Sequence, residues 1–116
     1  MPKCMIYSPV AATEAQQDAL LKDAEKALAE VLGKPMSYVM AGYVQTGLMR
    51  LGGSSDPCAY IRVASIGGLS SSANNKIAAA LSASCERHLG VSKNRIYTTF
   101  ANKSGAEWAM GDRTFG

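Results

Sequence analysis

The 116-residue chain has no run of basic residues, no Cys-x-x-Cys pair and no paired short Cys or His spacings. Nor does any apolar stretch approach the ~20 residues needed to span a bilayer. Each absence excludes a class. Twelve Lys and Arg residues lie scattered, without aromatic interleaving, and leave a net charge of only +3. That gives no footprint for nucleic acid. Cys4, Cys58 and Cys85 are odd in number and far apart, which argues for reduced thiols in an intracellular setting rather than a disulfide framework. With His88 they total four potential zinc ligands, but they fall on separate elements, so neither a metal nor another cofactor is expected. The first residues show no charged leader followed by a long apolar run, so no secretory signal is visible. The expected location is cytoplasmic, and any extracellular role would need export without a leader.

What is present is an ordinary soluble balance, 47% hydrophobic and 18% charged. The length suits one domain over residues 1–116 that buries a core without staples. The chain reads as though written twice, with pseudo-repeats at about 2–46 and 58–101. Leu32-Gly33-Lys34 can be laid on Leu89-Gly90-Val91, an offset of 57 positions. The same offset carries Thr13 onto Ser70, Leu20 onto Ile77 and Ala24 onto Leu81.

In the first repeat Lys3–Val10 reads as a strand, and Thr13 with Gln16 as a capping box. Leu20, Ala24, Ala27, Leu28 and Val31 follow at helical spacing on one face. Gly33 stops the helix, Lys34 is steered out of helical geometry by Pro35, and Tyr38–Val44 reads as the second strand. After the turn cluster Gly52–Pro57, Ala59–Ile66 reads as the third strand. A helix from about Ser70 to Leu89 buries Ile77, Leu81, Cys85 and Leu89, and Arg95–Phe100 reads as the fourth strand. Two βαβ units imply an α/β fold: a four-stranded sheet with two helices on one face. The opposite face would be bare, and oligomerisation would cover it.

Chemistry is suggested by Pro2, directly behind the start Met. A small second residue permits removal of Met1, leaving the ring nitrogen as a free secondary amine. An α-amine starts at about 7.7–8.0, and apolar burial lowers the pKa of a cation. Such a nitrogen can act as a base near neutral pH.

With Pro2, Gly33-Lys34-Pro35, Gly52-Gly53-Ser54-Ser55-Asp56-Pro57-Cys58-Ala59 and Ser65-Ile66-Gly67 in order, the chain resembles the macrophage migration inhibitory factor family of the tautomerase superfamily. The likeness runs from Pro2 to Thr114-Phe115-Gly116. It implies a homotrimer that isomerises phenylpyruvate-like α-keto acids and dopachrome, with Pro2 as general base. It also implies a cytokine-like factor exported without a leader and acting on a cell-surface receptor. A receptor-binding signalling protein with residual tautomerase activity is the alternative that the same resemblance supports.

The resemblance assigns Lys34 to the substrate carboxylate and the backbone N–H of Ile66 to the same carboxylate or oxygen. Ser65 is expected to shape only the strand end. Tyr97 would come from the adjacent subunit and line the pocket. Three positions depart from the family pattern. Thr99 stands where Asn is common, which shortens or removes a polar contact from the neighbour. Met110 stands where a pocket Trp is expected, and Trp108, two residues earlier on what reads as the same strand, would share its face and replace it. Ile61 replaces a second cysteine, so the chain has no dithiol redox chemistry.

Two other groupings read as structural. Cys85 and His88 are within helical contact, but no third group orients them, so core packing and a helix-end position are expected. Met5, Met36, Met40 and Met49 are expected to fill core or pocket.

Overall fold

A computed structural model describes all residues 1–116. Strands β1 (Pro2–Ser8), β2 (Met40–Gln45), β3 (Ala59–Ile66) and β4 (Ile96–Lys103) form one sheet in the order β2-β1-β3-β4. The β1–β2 and β3–β4 pairs are parallel, and β1–β3 at the centre is antiparallel. Helices α1 (Glu14–Leu32) and α2 (Ser71–Leu89) make the two crossovers. A short hairpin of β5 (Ala109–Met110) and β6 (Arg113–Thr114) follows β4. No helix is long and apolar enough to cross a membrane.

The helices begin and end where local chemistry requires. Thr13 accepts from the Gln16 amide while Gln16 returns a bond to the Thr13 N–H, completing the capping box. Ser70 caps α2 by accepting from the Ala73 amide. Gly33 and Gly90 close the helices with φ of 62° and 69°, a left-handed conformation that costs glycine nothing sterically. Each closing glycine is followed by a single 3₁₀ turn, Met36–Tyr38 in the first half and Lys93–Arg95 in the second. Both helices and both turns recur at the offset of 57.

Alternation along the central strands decides which face is covered. Cys4, Ile6, Ile61 and Val63 are buried beneath Leu20, Ala24 and Leu28 of α1 and Ile77, Leu81 and Cys85 of α2. Their neighbours Lys3, Met5, Tyr7, Tyr60 and Arg62 point to the opposite face, which nothing in the single chain covers. Tyr7 and Tyr60 stack there with centroids 6.1 Å apart.

Several boundaries differ from the sequence reading. β1 starts at Pro2 and stops at Ser8, because Pro9 has no amide to donate and the Ser8 hydroxyl turns to the Cys58 carbonyl at 2.7 Å. Tyr38 and Arg95, expected in strands, sit in the 3₁₀ turns. β4 continues past Phe100 to Lys103, held by parallel pairing to the whole of β3. Ala27 and Val31 are only partly buried; they line a solvent-open groove between the helices, while Leu20, Ala24 and Leu28 carry the contact with the sheet. The C-terminal hairpin was not anticipated. It folds back because Gly105 lets the Phe115 backbone approach: a Cβ there would lie 3.0 Å from the Phe115 carbonyl. The Phe115 amide donates to the carbonyls of Gly105 and Trp108.

Candidate functional site

Pro2 begins the antiparallel ladder opposite Ser65. It is less than 2% exposed and lies at the floor of a cleft of about 580 Å³. The cleft opens between the 3₁₀ turn after α1 and the C-terminal hairpin. Tyr38 and Met40 form one wall, and Trp108, Met110 and Phe115 the other. Tyr38 meets Phe115 edge-on, centroids 6.4 Å apart, closing the far side.

Lys34 arrives beside this floor because Gly33 reverses the chain and Pro35 holds Lys34 extended. Its ammonium donates to the Ile66 carbonyl at 3.5 Å, and the Ile66 N–H donates to the Met1 carbonyl at 3.4 Å. Met1 thus sits on the donor that the sequence reading reserves for a substrate. The Met1 ammonium is held below the ordinary α-amine value, first by burial and then by the Lys34 charge. Both causes oppose placing a cation at this end of the sheet.

The structure therefore brings Pro2, Lys34, the Ile66 backbone and Trp108 to one place. It does not bring Tyr97 or Thr99 there from the same chain. Tyr97 is 66% exposed on the uncovered sheet face, and the Thr99 hydroxyl bonds to Tyr60 at 2.9 Å. Trp108 and Met110 both line the cleft, but not as strand neighbours: Trp108 ends the 3₁₀ turn Gly105–Glu107, and only Met110 belongs to β5. Met36 and Met40 are exposed; of the methionines expected to fill core or pocket, Met40 reaches the cleft.

Sequence reasoning missed three features. Lys103 lines the cleft because β4 is longer than its apolar pattern suggested. Glu107 lies on the same rim, its carboxyl held below the usual range by the Ser104 amide and hydroxyl. The Ser65 hydroxyl, fully buried across from Pro2, has no hydrogen-bond partner. Nothing in the sequence marks an unpaired hydroxyl; only the strand register exposes it.

Elsewhere, burial pushes the thiols of Cys4 and Cys85 up to about 12, where they are inert as nucleophiles. His88 turns away from Cys85 and pairs with Asp23 at 2.9 Å. Asp23 also accepts from Ser84 and Arg87, so one carboxylate oxygen ties α1 to α2. No group of three or more His, Cys, Asp or Glu side chains gathers as a metal cage.

Comparison with known proteins agrees along the whole chain. The family model for macrophage migration inhibitory factor matches residues 1–116. A macrophage migration inhibitory factor homolog from Brugia malayi is 38% identical over 98 residues, 84% of this chain and 85% of that protein. The solved structure of macrophage migration inhibitory factor from Toxoplasma gondii is 81% identical, with a TM-score of 0.97 over 97% of this chain and 99% of that one. A homologue from Prochlorococcus marinus, 31% identical, superposes with a TM-score of 0.91 over 98% and 99% of the two chains.

Proposed function

This chain belongs to the macrophage migration inhibitory factor family, and from that premise we propose that it is a tautomerase acting on phenylpyruvate-like α-keto acids and on dopachrome. The observation that carries the proposal is Pro2, buried at the floor of an aromatic-walled cleft with Lys34 beside it. Removal of Met1 converts the Pro2 nitrogen from an amide into a secondary amine. It also releases the Ile66 N–H from the Met1 carbonyl, so one cleavage creates both the base and an anion donor.

In the reaction, the neutral Pro2 nitrogen takes a proton from the carbon next to the keto group. The C–H electron pair becomes the carbon–carbon double bond, and the carbonyl oxygen accepts the displaced pair and then a proton. Reactant and product have the same atoms, so no cofactor is required. Lys34 and the Ile66 N–H hold the carboxylate and oppose the charge growing on oxygen. The Tyr38, Trp108 and Phe115 rings receive the aromatic end. General acid–base transfer of this kind contributes roughly 10²–10⁴-fold in rate.

The uncovered sheet face and the solvent position of Tyr97 fit a homotrimer in which Tyr97 and Thr99 of one subunit complete the cleft of the next. Sedimentation equilibrium would return three times the 12.2 kDa chain mass. A monomer that turns over substrate at full rate would refute the shared site. A secreted, receptor-binding role is the second reading, favoured by the action on macrophages named in the relatives. The deciding experiment compares chains with and without Met1, identified by intact mass, in an enol–keto assay and a receptor-binding assay. Loss of turnover on retaining Met1 supports the isomerase, equal turnover overturns it, and binding without turnover separates the two roles.

A further inference from the structure

The cleft carries more positive charge than a single carboxylate requires. Lys3 and Lys103 line it, and Lys34 lies beside it, its ammonium on the Ile66 carbonyl next to the Met1 contact. None of the three has an acidic partner within ion-pair distance, since the ion pairs of the chain are confined to Asp18 and Asp23. The one carboxylate on the rim, Glu107, is committed to the amide and hydroxyl of Ser104 at 2.9 and 3.0 Å. The cleft thus combines apolar walls with lysine charge that no ion pair satisfies: the Lys103 charge helps to lower the Glu107 carboxyl, but Glu107 accepts its hydrogen bonds from Ser104.

The strand register separates two of these charges. Lys34 bonds to the Ile66 backbone at the carbonyl, beside the N–H that meets Met1 just ahead of β1. Lys103 is the partner of Ile66 across the opposite edge, on β4. Ile66 therefore stands between the two lysines. Pro2 faces Ser65, and Ser65 faces Asn102, so the Lys103 backbone lies about two strand spacings, ~10 Å, from the proposed base. A Lys side chain spans part of that distance, enough to meet the far end of a substrate whose carboxylate is held at Lys34.

We infer that Lys103 is a specificity-determining residue, and that the preferred ligands of this cleft are α-keto acids carrying a second anionic group at the end remote from the keto acid. The inference rests on the keto-acid reading of the cleft, and its test is therefore made on binding rather than turnover. Trp108 is the only tryptophan in the chain and lines the cleft, so its fluorescence reports occupancy directly. The Met1-free protein is titrated with two unreactive acids, 3-phenylpropanoate and 3-(4-carboxyphenyl)propanoate. A charge-assisted contact predicts roughly tenfold tighter binding of the dianion. That preference should collapse toward unity in Lys103→Met, return in Lys103→Arg, and shrink with added salt.

A preference unchanged in Lys103→Met overturns the inference, as does an equal loss of affinity for both acids. Failure of both acids to quench Trp108 overturns this inference and the keto-acid cleft together. Selective binding without any turnover of phenylpyruvate overturns the tautomerase reading and leaves the role of Lys103 standing.

Discussion

The end of α1 and the end of α2 are built alike: a left-handed glycine, a 3₁₀ turn and a strand entering the sheet. What they hold differs in residue at three matched positions, 57 apart, and in hydrogen bonding at a fourth. Pro2 corresponds to Ala59, Lys34 to Val91, Tyr38 to Arg95 and Ser65 to Ser8. At the α2 end Ala59 and Val91 are sealed in the core. Arg95 pins the preceding loop by donating to the carbonyls of Leu51, Ser54, Asp56 and Pro57. There the Ser8 hydroxyl is satisfied, giving its proton to the Cys58 carbonyl and accepting from the Val10 amide. At the α1 end the matched positions hold a lysine and an aromatic wall around an open cleft, and the matched hydroxyl, Ser65, is unpaired. One scaffold therefore makes either a stable plug or a reactive cleft. The choice rests on a few side chains rather than on the fold.

The largest effect should come from the base. Pro2→Gly keeps a terminal amine but replaces the rigid secondary one, and retaining Met1 turns the Pro2 nitrogen into a non-basic amide. Phenylpyruvate turnover should fall by about 10²–10⁴-fold, with the thermal midpoint nearly unchanged; full activity in the Met1-retaining form would break the contrast between the two ends. Next, Lys34→Val installs the residue of the closed end. Loss of a charge-assisted contact should lower kcat/KM by ~10–100-fold for carboxylate substrates, and unchanged kinetics would remove Lys34 from the site.

The remaining tests concern stability. Asp23→Ala deprives the buried Ser84 hydroxyl of its acceptor, an expected cost of ~1–3 kcal/mol seen as a lower thermal midpoint. The Asp23 carboxyl is held below its ordinary range first by the Ser84 hydrogen bond, with further help from His88 and Arg87. A carboxyl lowered on folding stabilises the protein above its unfolded pKa, near 3.9, and that contribution disappears as pH falls through the folded value. Its side chain is 39% exposed, so salt weakens the effect. Melts of wild type and Asp23→Asn should therefore draw together as pH falls below the ordinary carboxyl range; parallel curves would refute the linkage.

The smallest effect sharpens the comparison most. Ser8→Ala strands the Cys58 carbonyl and the Val10 amide and should cost ~1–3 kcal/mol, while Ser65→Ala removes a hydroxyl that bonds to nothing and should change stability by less than ~0.5 kcal/mol. Equal costs in denaturant unfolding would show that Ser65 has a partner.

Pattern and punctuation made the scaffold legible in sequence. Apolar spacing on α1 and α2, the capping box at Thr13, and the stops at Gly33 and Gly90 are local interactions, readable a few residues at a time. The start and end of β3 were equally clear, because a fully paired central strand alternates cleanly between Cys58 and Gly67. β4 was read too short: its solvent-side residues owe their strand geometry to pairing with β3, which no local pattern encodes. The hairpin escaped for a related reason, since it depends on contact between Gly105 and Phe115.

What the chain itself determined is the repeated βαβ plan and the residues available for chemistry, since helix capping, periodicity and glycine geometry act over short range. What only the tertiary structure decided is which of those residues meet. Pro2 is set opposite Ser65 by strand register, Lys34 reaches the neighbouring Ile66 carbonyl through the reversal at Gly33, and Lys103 joins the cleft through pairing across the sheet. Such proximity is set by hydrogen bonds between distant segments, and no single stretch of sequence contains both partners.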